Sequence, residues 1–258
     1  MRTWRARIRL GIAALAGLMA ALAAPAAALA AEAQVAVAAN FTEPAREIAA
    51  AFKAATGHTA SLSFGASGQF YAQIANGAPF EVLLSADAER PKKLEQDGLA
   101  APASRFTYAV GRLVLFSKTP GLVDSRGAVL TGGRFAKLAI ADPAAAPYGA
   151  AAVETLQRLK VYDAVKPKLV MGGSIAQAYQ FVATGAAELG FVAYSQVANE
   201  PGGSRWLVPA ADHAPIEQQA VLLTRGQANP AAKAFIVFLK SPKAAAIIKR
   251  YGYDLPGR

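Results

Sequence analysis

The chain has 258 residues with 27 lysines and arginines, 17 acidic residues, a formal charge of +10 and no cysteine. That length suits one large domain or two modest lobes. The missing cysteines exclude disulfide staples, thiolate metal sites and a thiol nucleophile, and the basic residues are too scattered to form a nucleic-acid stripe.

The first thirty residues read as a leader. Arg2, Arg5, Arg7 and Arg9 precede the apolar run Leu10 to Ala24, and small residues lead to Ala28-Leu29-Ala30. A basic segment, a short apolar core and an Ala-x-Ala exit describe a secretory signal peptide, with mature protein expected from Ala31 or Glu32. The apolar run is short for an uncleaved anchor. Loss of its four arginines lowers the formal charge to +6.

The mature chain alternates short apolar runs with helical patterns. Gln34 to Ala38 reads as a buried strand, and Glu43 to Ala55 as a helix with Pro44 in its first turn and Gly57 at its end. Thr59 to Phe64 is the next strand. It leads through Gly65, Ser67 and Gly68 into a helix that carries Phe70 and Ile74 on one face. Phe80 to Leu84 is a third strand, and Lys92 to Gln96 a short helix.

Arg105 to Phe116 is a long extended run that suits a crossing between lobes. The pattern then restarts with a strand at 136–141, the loop Asp142-Pro143 to Gly149 and a helix from Ala150. A strand at 168–171 leads through Gly172-Gly173-Ser174 into a helix with Ile175, Tyr179 and Val182 on one side. Leu189 to Val192 is the last strand of this half, and Gln219 to Thr224 suits a return crossing. Two helices close the chain. This alternation predicts an α/β fold of two lobes, each a mainly parallel sheet flanked by helices. The expected division is a leader at 1–30, lobe one at 31–108, lobe two at 109–210 and a return to lobe one at 211–258.

Enzyme signatures are sparse. Ser85-Ala86-Asp87 sets a hydroxyl near a carboxylate, but His58 and His213 fall in no triad or metal spacing. The carboxylates Glu81, Asp87, Asp142 and Glu188 form no recognisable acid–base pair and read as solvated or capping groups. What recurs is neutral donors where strands lead into helices: Asn40 and Ser67 in the first half, and Tyr148 with the N–H groups around Ser174 and Ile175 in the second. Taken alone, Ser67 reads as a helix cap; the recurrence turns it toward a ligand. A fully ionised tetrahedral oxyanion has only acceptors and suits such a set, whereas a phosphate that keeps its proton also wants an acceptor. Helix N-termini can balance the charge.

These residues, in this order, resemble the periplasmic molybdate-binding proteins of ABC transporters. The matching stretches are Val35 to Thr42, Ser63 to Ser67, Gly77-Ala78-Pro79, Leu84 to Asp87, Ile140 to Pro143 with Pro147 to Gly149, Leu189 to Val192, and Lys249 to Tyr253. The resemblance implies a type II periplasmic binding protein, two lobes on a hinge of two crossover strands. It would be a monomer that closes on molybdate or tungstate and delivers it to a membrane permease. It implies no catalysis, no cofactor, and molybdenum held only as the oxyanion, without protein ligands to the metal. By position it assigns the anion to Asn40, Ser67, Tyr148 and Ile175. One departure is that many members place a tyrosine where this chain has Ala193; Tyr148 can supply that hydroxyl from across the cleft, and Tyr194 then reads as a core or surface ring. The competing readings are a binder of sulfate or iron, a secreted hydrolase using Ser85 or Ser67, and a surface interaction module.

Overall fold

The computed structural model describes residues 30–257. The expected leader lies, except for Ala30, outside the described residues. β1 (Glu32–Ala38) holds Val35, Ala36 and Val37 fully buried on both faces, the run of a central parallel strand covered on two sides. A 3-10 turn (Ala39–Phe41) joins it to α1 (Thr42–Thr56), which buries Pro44, Ala45, Ile48 and Phe52. Gly57, at φ 74°, ends α1 and returns its N–H to Lys53 O, a left-handed cap that glycine adopts without a Cβ penalty.

β2 (Thr59–Gly65), α2 (Ser67–Ala75), β3 (Val82–Leu84), α3 (Glu89–Gln96) and β4 (Phe106–Gly111) complete the first half. The second half runs β5 (Leu113–Ser117), α4 (Val129–Gly132), β6 (Leu138–Ala141), α5 (Pro147–Arg158), α6 (Tyr162–Val165), β7 (Leu169–Gly172) and α7 (Ile175–Ala183). It continues through β8 (Leu189–Ala193), α8 (Tyr194–Val197) and β9 (Ser204–Leu207). The chain then returns through β10 (Ile216–Leu222) to α9 (Pro230–Leu239) and α10 (Pro242–Arg250).

Two five-stranded sheets result, ordered β2-β1-β3-β10-β4 and β7-β6-β8-β5-β9. β1 lies parallel to β2 and β3, and β6 lies parallel to β7 and β8. β10 runs antiparallel to β3 and β4, and β5 runs antiparallel to β8 and β9. Each sheet is therefore a parallel α/β core extended by an antiparallel strand that has crossed from the other half. The mainly parallel expectation holds for the cores; the crossing strands make the sheets mixed. Arg112 lies between β4 of the first sheet and β5 of the second, inside the extended run 105–116, and β10 returns to the first sheet from Ile216.

In parallel α/β sheets the loops beyond the carboxyl ends of the strands form the ligand crevice. Here those ends meet. One continuous buried cluster contains Ala38, Ala66 and Ala86, beyond the first sheet's strands, together with Ala146, Tyr148 and Ile175 at the helix starts of the second. Hydrogen bonds close the gap: Gly68 N donates to Ala145 O at 2.9 Å, Arg90 Nη2 to Ala144 O at 2.9 Å and Gln69 Nε2 to Gly173 O at 3.3 Å.

Candidate functional site

Four helical starts line the seam between the lobes. The 3-10 turn carrying Asn40 and the start of α2 at Ser67 come from lobe one, and the starts of α5 and α7 from lobe two. The first N–H groups of a helix have no partner inside it and stand at its positive end. Ile175 is the first residue of α7, beyond the cap Ser174, whose side chain accepts from Gln177 N. Pro147 opens α5, where a missing N–H is tolerated, and sets Tyr148 in the first turn.

Ser67 is not the cap of its helix. That position is Ala66, and Ser67 Oγ instead accepts the N–H of Ala86 at 2.9 Å. With one lone pair so occupied and the side chain buried, the hydroxyl keeps its proton to donate.

Asn40 sits in a buried polar network. Its Nδ2 donates to Gln218 Oε1 and to the Tyr253 hydroxyl, each at 2.9 Å. Its carbonyl oxygen accepts from the hydroxyls of Ser195 (2.8 Å) and Tyr253 (2.7 Å). Tyr108 donates to Gln218 Oε1 at 3.0 Å, and Gln218 Nε2 donates to the Tyr148 hydroxyl at 3.1 Å. The side-chain donors of Asn40 are thus committed within the protein. What Asn40 has left for a ligand is its backbone N–H, near the start of the turn.

The structure brings Asn40 and Tyr148 together through Gln218, and puts Ser67 and Ile175 at neighbouring helix starts. Tyr194 stands apart. It is half-buried, with the Arg112 guanidinium 5.4 Å from its ring centroid, and it belongs to no part of this network. Reading the sequence missed Gln218, Tyr108, Tyr253 and Ser195 as members.

Burial pushes the Tyr253 hydroxyl up to about 12, and pushes those of Tyr108 and Tyr148 well above the ordinary tyrosine range. All three are neutral donors at physiological pH. A group held protonated by the fold stabilises fully below its unfolded value and loses that contribution as pH rises through its folded value. Thermal unfolding should therefore be insensitive to these phenols from pH 7 to 9 and should fall between about pH 10 and 12. A Tyr253→Phe variant should show a shallower alkaline fall; an identical fall would remove Tyr253 as its source.

A carboxylate beside this seam, Asp87, is already paired. Asp87 accepts from Arg90 N at 2.9 Å, Arg90 Nη1 at 2.6 Å and Ser85 Oγ at 3.3 Å. His58 Nδ1 accepts from Ala31 N, and His213 Nδ1 lies 2.7 Å from Ala214 O. Neither imidazole hydrogen-bonds to a serine hydroxyl among the described residues. Among those residues no group of three His, Asp or Glu side chains is placed to hold a metal ion.

Two α/β lobes joined by two crossings, with helix N-termini of both facing one seam, define a type II periplasmic-binding-protein fold. The model of the bacterial extracellular solute-binding proteins matches residues 33–254. The chain belongs to that family and groups within it with the molybdate-binding proteins named ModA. It is 58% identical over 246 residues to the ModA of Rhodobacter capsulatus, across 95% of this chain and 96% of that one. It is 57% identical over 250 residues to the ModA of Azotobacter vinelandii, across 96% and 97%. The solved structure of the Azotobacter vinelandii periplasmic molybdate-binding protein superposes with a TM-score of 0.84 at 44% identity, covering 87% of this chain and 99% of that one. These relatives carry the names of binding proteins, not of enzymes.

Proposed function

We propose that this protein captures molybdate outside the cytoplasmic membrane, with tungstate as an alternative ligand, and delivers it to the permease of an ABC transporter. The observation that carries the reading is the seam of neutral donors at helix N-termini from both lobes, with its nearby carboxylate already paired. Ser67 gives its hydroxyl, Tyr148 its phenol, Ile175 and Asn40 their backbone N–H groups. Such donors suit an anion that offers only acceptors, and hydrogen bonds to a charged partner are roughly twice as strong as neutral ones. The names of the relatives support molybdate within this chemistry. Secretion to the periplasm by cleavage of residues 1–30, and a monomeric mature protein, complete the reading.

The test is thermal unfolding of the chain from Ala31 with molybdate, tungstate, sulfate or phosphate. A ligand at a hundred times its dissociation constant stabilises by about 2.7 kcal/mol. For a chain of this size that is a rise of roughly 5–10 °C. The expected result is a rise with molybdate and tungstate and none with phosphate. A rise with sulfate alone would replace the ligand, and no rise with any oxyanion would overturn the reading.

A further inference from the structure

Gln218 is fully buried on β10, where the strand leaves the hinge, and both ends of its amide are engaged. The donors and acceptors on either side of this amide fix which end is which. The Tyr253 hydroxyl has one proton, given to Asn40 O at 2.7 Å or to Ser195 Oγ at 2.9 Å, so toward Asn40 Nδ2 its oxygen accepts. The Asn40 amide is thereby oriented, and its second hydrogen faces Gln218, which must present Oε1. The other end of Gln218 is then the NH2 group, 3.1 Å from the Tyr148 hydroxyl. Tyr148 accepts there and is left with its proton to give. The available acceptors are the neutral oxygen of Tyr253 and an anion in the seam, of which the anion is the stronger.

We propose that Gln218 is a positioning residue of the oxyanion site: it sets the Tyr148 hydroxyl as a donor, and does so across the seam. Gln218 belongs to the sheet of lobe one and Tyr148 to a helix of lobe two, so the polarity of this donor is established by closure. The same order discriminates among ligands. An oxyanion that carries a proton needs an acceptor, which Tyr148 can offer only by turning its own proton to Tyr253 and giving up its donation to the anion. This inference rests on the molybdate reading.

A glutamate at 218 provides the test. Protonated, a carboxyl has one donor and one acceptor end, as the amide does; ionised, it only accepts and would draw the proton of Tyr148 away from the anion. The titratable groups around position 218 are the phenols of Tyr108, Tyr148 and Tyr253, all shifted upward, with Asp87 beyond Tyr108 paired to Arg90. The introduced glutamate is therefore the group that titrates below pH 8.

Calorimetric titration with sodium molybdate should show Gln218→Glu about tenfold or more weaker than the natural protein at pH 8, with the deficit shrinking toward pH 5.5. The natural protein should show no such trend. In a second arm, Gln218→Met and Tyr148→Phe should each weaken binding about tenfold, and the double variant should be no weaker than Tyr148→Phe alone, as for residues that act through one another. A deficit independent of pH in folded Gln218→Glu, or losses that multiply in the double variant, would overturn the proposal. Failure of the natural protein to bind molybdate would instead sink the functional reading itself.

Discussion

Gly111→Ala should weaken molybdate binding by about 10- to 100-fold while leaving the fold intact. Gly111 is the last residue of β4, buried immediately before the crossing at Arg112. A Cβ there would lie 2.2 Å from the Tyr148 hydroxyl oxygen and 2.7 Å from Gln218 Nε2. Its φ is outside the left-handed region, so the backbone accepts alanine; the conflict is with the site alone. The methyl group would displace the phenol and the amide that orients it, and one hydrogen bond to a charged ligand is worth roughly 1.5–3 kcal/mol. The check is titration of folded Gly111→Ala with molybdate. Adding Tyr148→Phe removes the nearer of the two atoms in conflict and leaves Gln218 Nε2, so it should cost no further affinity and should recover part of any lost melting temperature. Affinity within twofold of the natural protein would show that Tyr148 is not a ligand contact.

Much of the proposed site can be read from the sequence because the residues proposed to face the ligand stand where the chain changes period, from strand to helix. Asn40, Ser67, Tyr148 and Ile175 all do. The residues that orient them cannot be read the same way. Gln218 lies in an extended run, where alternation would direct one of two successive glutamines outward. The structure has a register shift between Gln218 and Gln219, and both side chains are buried. A bulge breaks the period of two on which the sequence argument rests. Tyr108 and Tyr253 were hidden for another reason. Their rings pack as core residues against Phe41, and only the hydroxyl partners reveal a polar role. Ser67 shows the converse. Its place before a helical run suggests a cap, and only the long-range bond from Ala86 N shows that its acceptor side is already occupied. The antiparallel course of the crossing strands was invisible too, since apolar alternation does not encode strand direction.

Phe41→Ala should have the opposite signature to Gly111→Ala, a large loss of stability with binding partly retained. Phe41 is fully buried and closes the 3-10 turn that carries Asn40. Its ring meets that of Tyr108 edge-on at 4.9 Å and that of Tyr253 at 5.4 Å. Truncating a buried phenylalanine to alanine costs about 3–5 kcal/mol, through lost transfer free energy and the cavity left behind. Against a total stability of roughly 5–15 kcal/mol, that is a large fraction. The cavity would open between the two tyrosines that hold Gln218 and Asn40, so the orientation of the donors should loosen as well. Phe41→Leu, which keeps most of the volume, should lose about half as much or less. Urea unfolding of both variants, without ligand and with saturating molybdate, is the measurement. The expected order is natural protein, Phe41→Leu, Phe41→Ala, with the ligand stabilising each. A Phe41→Ala loss below about 1 kcal/mol would mean that the turn carrying Asn40 is held by its hydrogen bonds to Gln218, Tyr253 and Ser195 rather than by the aromatic cluster beneath it.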